Sequence, residues 1–287
     1  MKFAIIGGDR RQTEVALYFK SKGHEVTVFG LPQHKELKHS DSLCEAVLNA
    51  DAVVLPLPVS RDGSTVSTPL TNDVIFLQDI LLCRPRVVFG GIIKETLATE
   101  LDNRLIPYYD YYKSEALTVK NAVLTAEAAV AIAVNCTDRS IFGSNALVIG
   151  YGRIGRQLSH YLKALGAHVT STSRNEGTLA AIEADGIDAV LTQNCSDIAS
   201  KFDCIFNTVP SPILNRKFFK NCKKTAFVED LATDSGIDLV AAGEFGINAG
   251  VYSGLPGKHS PITAAGFIAE EVLKFYNLKF KTNGGDI

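Results

Sequence analysis

Three glycines at Gly150, Gly152 and Gly155 follow directly on a short apolar segment, 145–149, in the pattern G-x-G-x-x-G. In this pattern the first glycine permits a tight turn and the second lets the backbone approach a pyrophosphate. The third allows a helix to pack closely on the preceding strand, and the start of that helix offers unpaired N–H groups to an anion. We therefore predict a dinucleotide site at this turn.

The end of the next predicted strand bears on which dinucleotide is bound. A predicted helix, 153–165, leads to a strand at 168–174 that ends in Thr172, Ser173 and Arg174. An NAD site usually has Asp or Glu here to hold the ribose 2′-hydroxyl, whereas a guanidinium beside hydroxyls suits a 2′-phosphate. We therefore predict NADP; the alternative is that Arg174 is a solvated surface charge.

A further strand, 204–208, leads into a turn expected beside the ribose and nicotinamide of the cofactor. Ligands of doubly wound sheets bind outside the carboxyl ends of the strands, which is where this turn belongs. The predicted cofactor-binding residues are Gly150, Tyr151, Gly152, Arg153, Ile154, Gly155, Thr172, Ser173, Arg174, Thr208, Val209 and Pro210.

A second copy of this opening lies at the amino-terminal end of the sequence. Gly7 aligns with Gly150, but Asp9 and Gln12 stand where the second and third glycines would be. An acid and a long side chain would occupy the place that a pyrophosphate must approach. We therefore expect only the second copy to hold the cofactor.

Strand-like and helix-like segments alternate along both halves of the chain, which is typical of parallel, doubly wound sheets. We predict an α/β protein of two Rossmann-like domains joined by a crossing helix. The first domain is 1–115 with a C-terminal helix 263–287, the interdomain helix is 116–140, and the NADP domain is 141–262. The first half has predicted strands at 25–29, 51–55, 87–90 and 105–108, with helices near 41–48, 72–82 and 94–102. The second half has a predicted helix at 176–184 and strands at 189–191, 226–231 and 248–252.

Composition excludes several classes of protein. The 287 residues carry a net charge of −2 with acids and bases interspersed, which argues against binding to nucleic acid or an anionic membrane. The start of the sequence lacks the features of a signal peptide, and no apolar run of membrane-spanning length is evident, so we expect a cytoplasmic protein. Six cysteines without a C-x-x-C pair indicate neither a disulfide framework nor a metal site, and we expect them to be buried or half-buried.

Four further segments accompany the glycine motif: 7–12, the loop around Arg61, 121–127 and 254–258. Together these segments resemble the A subunit of bacterial dipicolinate synthase over nearly the full length of the chain. The resemblance implies NADP-linked oxidation of a dihydrodipicolinate-type ring to dipicolinate during spore formation. It also implies that the partner is a flavoprotein-like B subunit, and we expect a homo-oligomer.

A dicarboxylate that loses a hydride and a proton requires cationic groups and at most one base. We expect it in the cleft between the domains, and we predict Arg61, Lys258 and His259 as catalytic residues. His259 is the candidate base because an unperturbed imidazole titrates at about pH 6.5; a structural histidine with solvent as the base is the alternative. The loop around Arg61 is equally consistent with a solvated connection. The predicted substrate-binding residues are Ser60, Arg61, Ser64, Lys120 and Lys258.

Two other functions stay open at this point. One is a general two-domain NADP-dependent dehydrogenase of the hydroxyacid type, although no histidine stands near an obvious acidic partner late in the cofactor domain. The other is a non-catalytic NADP-binding protein that serves as a scaffold for a partner.

Overall fold

The computed structural model describes residues 1–232 and 235–278. The chain divides into two compact units: unit 1 consists of Met1–Lys120 and the segment that begins at Ser260, and unit 2 is Asn121–His259.

The strands are β1 (Lys2–Ile6), β2 (Glu25–Phe29), β3 (Lys38–His39), β4 (Ala52–Val54), β5 (Val88–Gly90), β6 (Tyr108–Asp110), β7 (Asn145–Ile149), β8 (His168–Ser173), β9 (Asp188–Leu191), β10 (Cys204–Asn207), β11 (Phe227–Asp230) and β12 (Asn248–Val251). The helices are α1 (Arg10–Ser21), α2 (Leu43–Leu48), α3 (Leu77–Leu82), α4 (Glu95–Asn103), α5 (Glu115–Cys136), α6 (Arg153–Ala164), α7 (Glu176–Ala184), α8 (Cys195–Ile198), α9 (Arg216–Asn221), α10 (Leu239–Glu244), α11 (Leu255–His259) and α12 (Pro261–Tyr276).

Each unit contains one parallel sheet of six strands. The order is β3-β2-β1-β4-β5-β6 in unit 1 and β12-β11-β10-β7-β8-β9 in unit 2. Both sheets therefore have the Rossmann order, with the direction of winding reversing between β1 and β4 and between β7 and β10. The predicted fold class, two Rossmann-like doubly wound parallel sheets, is confirmed.

The core of unit 1 lies on both faces of its sheet. On one face Phe3 stacks on Phe19 of α1, with 4.2 Å between the ring centroids. Helix α12 packs on α1 and adds Ile268 and Val272 to the same buried cluster. The far end of the predicted helix 263–287, residues 279–287, lies outside the described residues.

The core of unit 2 is formed in the same way. Alanines of α5, including Ala126, Ala129 and Ala133, pack with Val148 and Phe206 on one face of the sheet. Small side chains let the helix approach the sheet closely, which explains why this long segment is rich in alanine. The opposite face is covered by α8, α9 and α10.

Helix α5 runs without interruption across the boundary between Lys120 and Asn121. Its 22 residues have a mean hydropathy of 1.5 over the most apolar window, enough in length and composition to span a bilayer. The expectation that no apolar run reaches this length was therefore wrong. Half of that window is buried inside the protein, so packing in the core accounts for the apolar composition.

Three elements of unit 1 depart from the prediction, and in unit 2 the short helices α8, α9, α10 and α11 were not predicted. The short strand β3 was missed, because its two residues are too few to show a pattern. Strand β6 was predicted to begin at residue 105 but begins at Tyr108. Leu105 has a φ of 54°, a left-handed conformation that cannot be part of a strand. Helix α3 is shorter than 72–82, because Phe76 is extended and pairs with Thr65.

The cysteines also depart from expectation. Cys44 of α2 and Cys83 after α3 form a disulfide, although they are 39 residues apart. Local spacing could not reveal this pair, because the packing of α2 against α3 brings the two residues together. Burial was correctly expected for Cys83, Cys195 and Cys204 and partial burial for Cys222, but Cys44 and Cys136 are exposed.

Candidate functional site

The glycine turn of unit 2 has the geometry that an anion needs. Gly150 adopts φ +96°, which favours glycine, and turns the chain from β7 towards α6. Gly152 precedes α6 without a side-chain cap, and, its chain neighbours apart, no atom of residues 1–232 or 235–278 lies within 4 Å of where a Cβ would stand. At Gly155 a Cβ would lie 2.1 Å from the carbonyl oxygen of Gly150. The start of α6 is therefore open to a ligand, and Gly155 permits the close packing behind it.

A cleft of about 870 Å³ opens from this turn. Its walls are the turn itself, the end of β8, the segment after β9 and the segment after β10. All four lie at the carboxyl ends of strands, where ligands of doubly wound sheets bind. Eight of the predicted cofactor-binding residues line it: Gly150, Tyr151, Gly152, Thr172, Ser173, Arg174, Val209 and Pro210.

Four predicted residues are not part of the lining. Arg153 and Ile154 form the first turn of α6, and Gly155 is buried behind the glycine turn. Thr208 donates from its hydroxyl to the carbonyl oxygen of Ile149 at 2.9 Å. Thr208 therefore joins β10 to β7 beneath the cleft.

Sequence reasoning missed a large part of the cleft. The rule that ligands bind at the carboxyl ends of strands would have pointed to Thr192, just after β9, but that loop has no recognisable motif. The remaining lining residues were missed for the same reason. They are Asn175, Thr178, Leu191, Gln193, Cys195, Ser196, Ser211, Pro212, Ile213 and Asn215.

Arg174 is the one charged residue that lines this cleft in the described part of the chain. Its side chain is exposed at the end of β8. Among the described residues it makes no hydrogen bond or ion pair, and the lining contains no carboxylate. The neighbouring Ser173 accepts a hydrogen bond from the backbone of Asn175 at 3.1 Å, which fixes the start of α7. The cleft therefore offers a free guanidinium beside a hydroxyl.

Thr172 lines the cleft, although its side chain is completely buried. Its Oγ1 accepts hydrogen bonds from the backbone N–H of Gly150 at 3.4 Å and from the hydroxyl of Thr192 at 3.1 Å. Thr172 thus connects β8 and the loop after β9 to the glycine turn. We conclude that it shapes the floor of the cleft.

The equivalent turn of unit 1 is closed by its own chain. Asp9 caps α1 and forms an ion pair with Arg11 at 2.8 Å. Gln12 is buried and donates to the carbonyl oxygen of Val54 at 3.3 Å. Gly8 donates to the carbonyl oxygen of Ser67 at 2.7 Å, so the loop after β4 covers the turn. These contacts support the prediction that the cofactor binds only to unit 2.

The predicted substrate residues of the loop after β4 surround Asp62. Its carboxylate accepts hydrogen bonds from Thr65 Oγ1 at 2.6 Å and from the backbone N–H of Ser64 at 2.8 Å. The hydrogen bond from the Thr65 hydroxyl lowers the pKa of Asp62 well below its ordinary value, and the backbone N–H groups of Thr65 and Ser64 lower it further. Ser60 is buried and its hydroxyl donates to Asp62 at 3.0 Å. The loop is therefore ordered, and the exposed Arg61 side chain makes no ion pair in the described residues.

Lys120 already has structural partners. Its ammonium lies 3.5 Å from the carboxylate of Glu270 and 4.8 Å from the ring centroid of Phe267. Both partners belong to α12, so Lys120 helps to hold that helix. A substrate carboxylate at Lys120 would have to compete with Glu270.

Lys258 and His259 end α11 and are exposed. Neither makes a hydrogen bond or ion pair in the part of the chain that the structure describes. Neither lines the cleft of unit 2. No group of three or more His, Cys, Asp or Glu within residues 1–232 and 235–278 is arranged to hold a metal ion.

Asp185 ties the glycine turn to the neighbouring helices. Its Oδ2 lies 2.7 Å from the hydroxyl of Tyr151, 3.1 Å from Arg156 Nε and 3.3 Å from His160 Nε2. Burial, followed by the bond to Asp185, raises the pKa of Tyr151 to about 12. The Tyr151 hydroxyl, assisted by Arg156, lowers the pKa of Asp185. The phenol therefore donates to an ionised carboxylate.

The Rossmann order of both sheets and the open glycine turn are typical of dinucleotide-binding dehydrogenases. In agreement, residues 131–242 match the family model of the D-isomer specific 2-hydroxyacid dehydrogenase, NAD binding domain. The apo-structure of D-lactate dehydrogenase from Escherichia coli shares the fold, with a TM-score of 0.64 at 16% identity, covering 97% of each chain.

In addition, residues 2–112 match the family model for the N-terminal domain of the dipicolinate synthase A subunit. The chain is 29% identical over 285 residues to the A subunit of dipicolinate synthase from Bacillus subtilis, covering 96% of this chain and 95% of the relative. The crystal structure of the corresponding protein from Bacillus halodurans gives a TM-score of 0.84 at 26% identity, with 96% of this chain and 97% of the other covered. The crystal structure of the dipicolinate synthase A chain from Bacillus subtilis gives a TM-score of 0.83 at 27% identity. The match covers 99% of this chain and 97% of the other. The resemblance to the A subunit of dipicolinate synthase is confirmed over nearly the whole chain.

Proposed function

We propose that the chain is an NADP-dependent dehydrogenase subunit that oxidises a dihydrodipicolinate-type dicarboxylate to dipicolinate. The observation that carries the cofactor part is Arg174, the lone charge among the described residues that line the cleft of unit 2. The likeness to dipicolinate synthase A chains supports the substrate part.

The residues of the cleft fit an NADP molecule. The open N–H groups at Gly152 and the start of α6 would hold the pyrophosphate, and the guanidinium of Arg174 would pair with the 2′-phosphate. Val209 and Pro210 would form the wall beside the ribose and nicotinamide. When bound, the nicotinamide supplies the acceptor for a hydride.

The substrate requires different groups. Arg61 and Lys258, both exposed and without ion-pair partners among the described residues, would hold its two carboxylates. His259 would accept the proton that leaves as the hydride departs, so that two electrons and two hydrogens leave the ring together. Ser60, Ser64 and Lys120 are weaker candidates, because Asp62 holds the Ser60 hydroxyl and Glu270 pairs with Lys120.

The general hydroxyacid-type alternative is less well supported. That chemistry typically uses a histidine paired with a carboxylate, and His259 has no carboxylate partner in the described residues. The identity of 16% to D-lactate dehydrogenase shows a common fold alone.

The proposal includes a partner that corresponds to the B subunit of dipicolinate synthase, a cytoplasmic location and a homo-oligomeric assembly. The deciding experiment measures NADPH formation on freshly generated dihydrodipicolinate, with the purified chain alone and with that partner. NADPH formed in proportion to this chain supports the proposal. NADP binding without turnover, even with the partner present, would instead identify a cofactor-binding scaffold.

A further inference from the structure

One carboxylate holds the glycine turn of unit 2 in place. Asp185 follows α7 and its side chain is 22% exposed. The same oxygen, Oδ2, accepts from Tyr151 at 2.7 Å and from Arg156 Nε at 3.1 Å. Asp185 does not line the cleft, so any effect on a ligand must pass through these neighbours.

The neighbours all belong to the ligand-binding turn or to the helix that follows it. Tyr151 stands between the first two glycines of the motif, and Arg156 and His160 are one turn apart on α6. Lys163, further along α6, donates to the carbonyl oxygens of Asp185 and Gly186, at 2.8 Å each. The turn and α6 are thus fastened at several points to the end of α7.

The turn needs such a fastening because its backbone has little conformational preference of its own. Tyr151 is flanked by Gly150 and Gly152, the residue type with the widest range of backbone conformations. A turn that must be ordered on binding loses affinity, whereas one already held in the bound conformation does not. A hydrogen bond from a phenol to an ionised carboxylate is of the stronger kind and restrains the centre of the turn.

We propose that Asp185 is a positioning residue that, through the hydroxyl of Tyr151, preorganises the glycine turn for a dinucleotide. The inference rests on the proposed function, since it presumes that the dinucleotide binds at this turn. The Tyr151 hydroxyl already donates to Asp185, so its role is to hold the turn.

A double-mutant cycle tests the inference. NADP is titrated into wild type, Tyr151→Phe, Asp185→Ala and the double variant, and Kd is measured by calorimetry. Each single change should weaken NADP binding by about fivefold, the scale of one net hydrogen bond. The double variant should be no weaker than Asp185→Ala, because both changes remove the same contact. Asp185→Asn, which keeps an oxygen acceptor, should restore most of the affinity.

The matched control is Tyr161→Phe, because Tyr161 is a half-buried tyrosine of α6 whose hydroxyl makes no hydrogen bond among the described residues. It should leave Kd unchanged. In turnover assays the Tyr151 and Asp185 variants should raise KM for NADP and leave kcat unchanged. If Tyr151 and Asp185 only stabilised the fold, their replacement would lower the melting temperature without raising KM for NADP at an unchanged kcat.

Wild-type affinity in Tyr151→Phe, or additive losses in the double variant, would overturn the inference while NADP binding by the wild type still stands. Absence of NADP binding by the wild type would instead overturn the proposed function. The two failures are therefore distinguishable.

Discussion

Asp9 and Gly152 occupy the same position in two copies of one structural unit, immediately before α1 and α6, but only Asp9 caps its helix. Asp9 accepts a hydrogen bond from the backbone N–H of Arg11 at 3.0 Å. Gly152 has no side chain, and, its chain neighbours apart, no atom in the part of the chain that the structure describes lies within 4 Å of where a Cβ would stand. A capping carboxylate thus occupies in unit 1 the place that an anion would take in unit 2.

Replacing Gly152 by Asp should therefore convert the turn of unit 2 to the form found in unit 1. The backbone at Gly152, φ −79° and ψ −163°, suits any residue, so the fold should be kept. The new cap should leave stability unchanged or raise it by a few tenths of a kcal/mol. NADP binding should weaken by more than about tenfold, because the carboxylate repels the pyrophosphate.

Gly152→Asn is the matched control, since asparagine caps a helix equally well without the charge. It should weaken NADP binding less than Gly152→Asp does. Calorimetric titration gives Kd and thermal unfolding gives stability. A wild-type Kd in Gly152→Asp would show that no pyrophosphate lies at this turn.

Arg174→Ala should change cofactor preference. A lost charge-assisted pair with the 2′-phosphate costs about 1.5–3 kcal/mol, which corresponds to roughly 10- to 150-fold in the Kd for NADP. The Kd for NAD should scarcely change, because NAD has no 2′-phosphate. Arg139→Ala removes an exposed arginine that does not line the cleft and serves as the control. Equal weakening of NAD and NADP binding would contradict the assignment.

Substrate binding is tested by Arg61→Ala, Lys258→Ala and His259→Ala in steady-state kinetics, with the Kd for NADP measured separately. Loss of a cation that holds a carboxylate should raise the substrate KM by roughly tenfold or more. If the imidazole is the base, His259→Ala should lower kcat by about 100-fold. If solvent is the base, the same change should leave kcat nearly as in wild type. Arg104→Ala, which removes an arginine paired with Glu100, is the control. Wild-type constants in all three variants would show that the substrate binds elsewhere.

Glu229 should make the stability of the protein depend on pH. Neither of its carboxyl oxygens has a hydrogen-bond partner in the described structure, and burial raises its pKa from 4.5 to about 9. Between pH 4.5 and about pH 9, Glu229 keeps its proton in the folded protein but has lost it in the unfolded chain. Stability should therefore fall as pH rises through this window, by up to roughly 1.4 kcal/mol per pH unit from this group.

Glu229→Gln removes the titrating group and should flatten this part of the profile, as measured by urea unfolding at pH 5, 7 and 8.5. Glu183→Gln, on the exposed face of α7, should leave the profile as in wild type. Identical profiles for Glu229→Gln and wild type would mean that Glu229 does not carry the effect.

Sequence alone predicted those features whose physical cause is local. The turn at Gly150 was predictable because its conformation and its closeness to the helix depend on a few adjacent residues. The disulfide of Cys44 and Cys83 was not, since it depends on two helices packing together. Thr172 shows a third case: its position was predicted, but burial directs its hydroxyl to Gly150 and Thr192.

The long apolar helix α5 was predicted, but its capacity to span a bilayer was not recognised, because the alanines that pack on the sheet also raise its hydropathy. The loops after β9 and β10 were missed as parts of the cleft. Their residues carry no motif, and only the order of the strands brings them beside the glycine turn.

The discontinuity of unit 1 has a consequence for synthesis on the ribosome. Helix α12, which covers Phe3 and Phe19, is translated only after all of unit 2. At roughly 5–20 residues per second, the first sheet waits on the order of ten seconds for its final helix, while unit 2 emerges complete. A chain that ends at His259 therefore contains all of unit 2 but lacks α12, so an apolar face of unit 1 stays exposed for chaperones to bind.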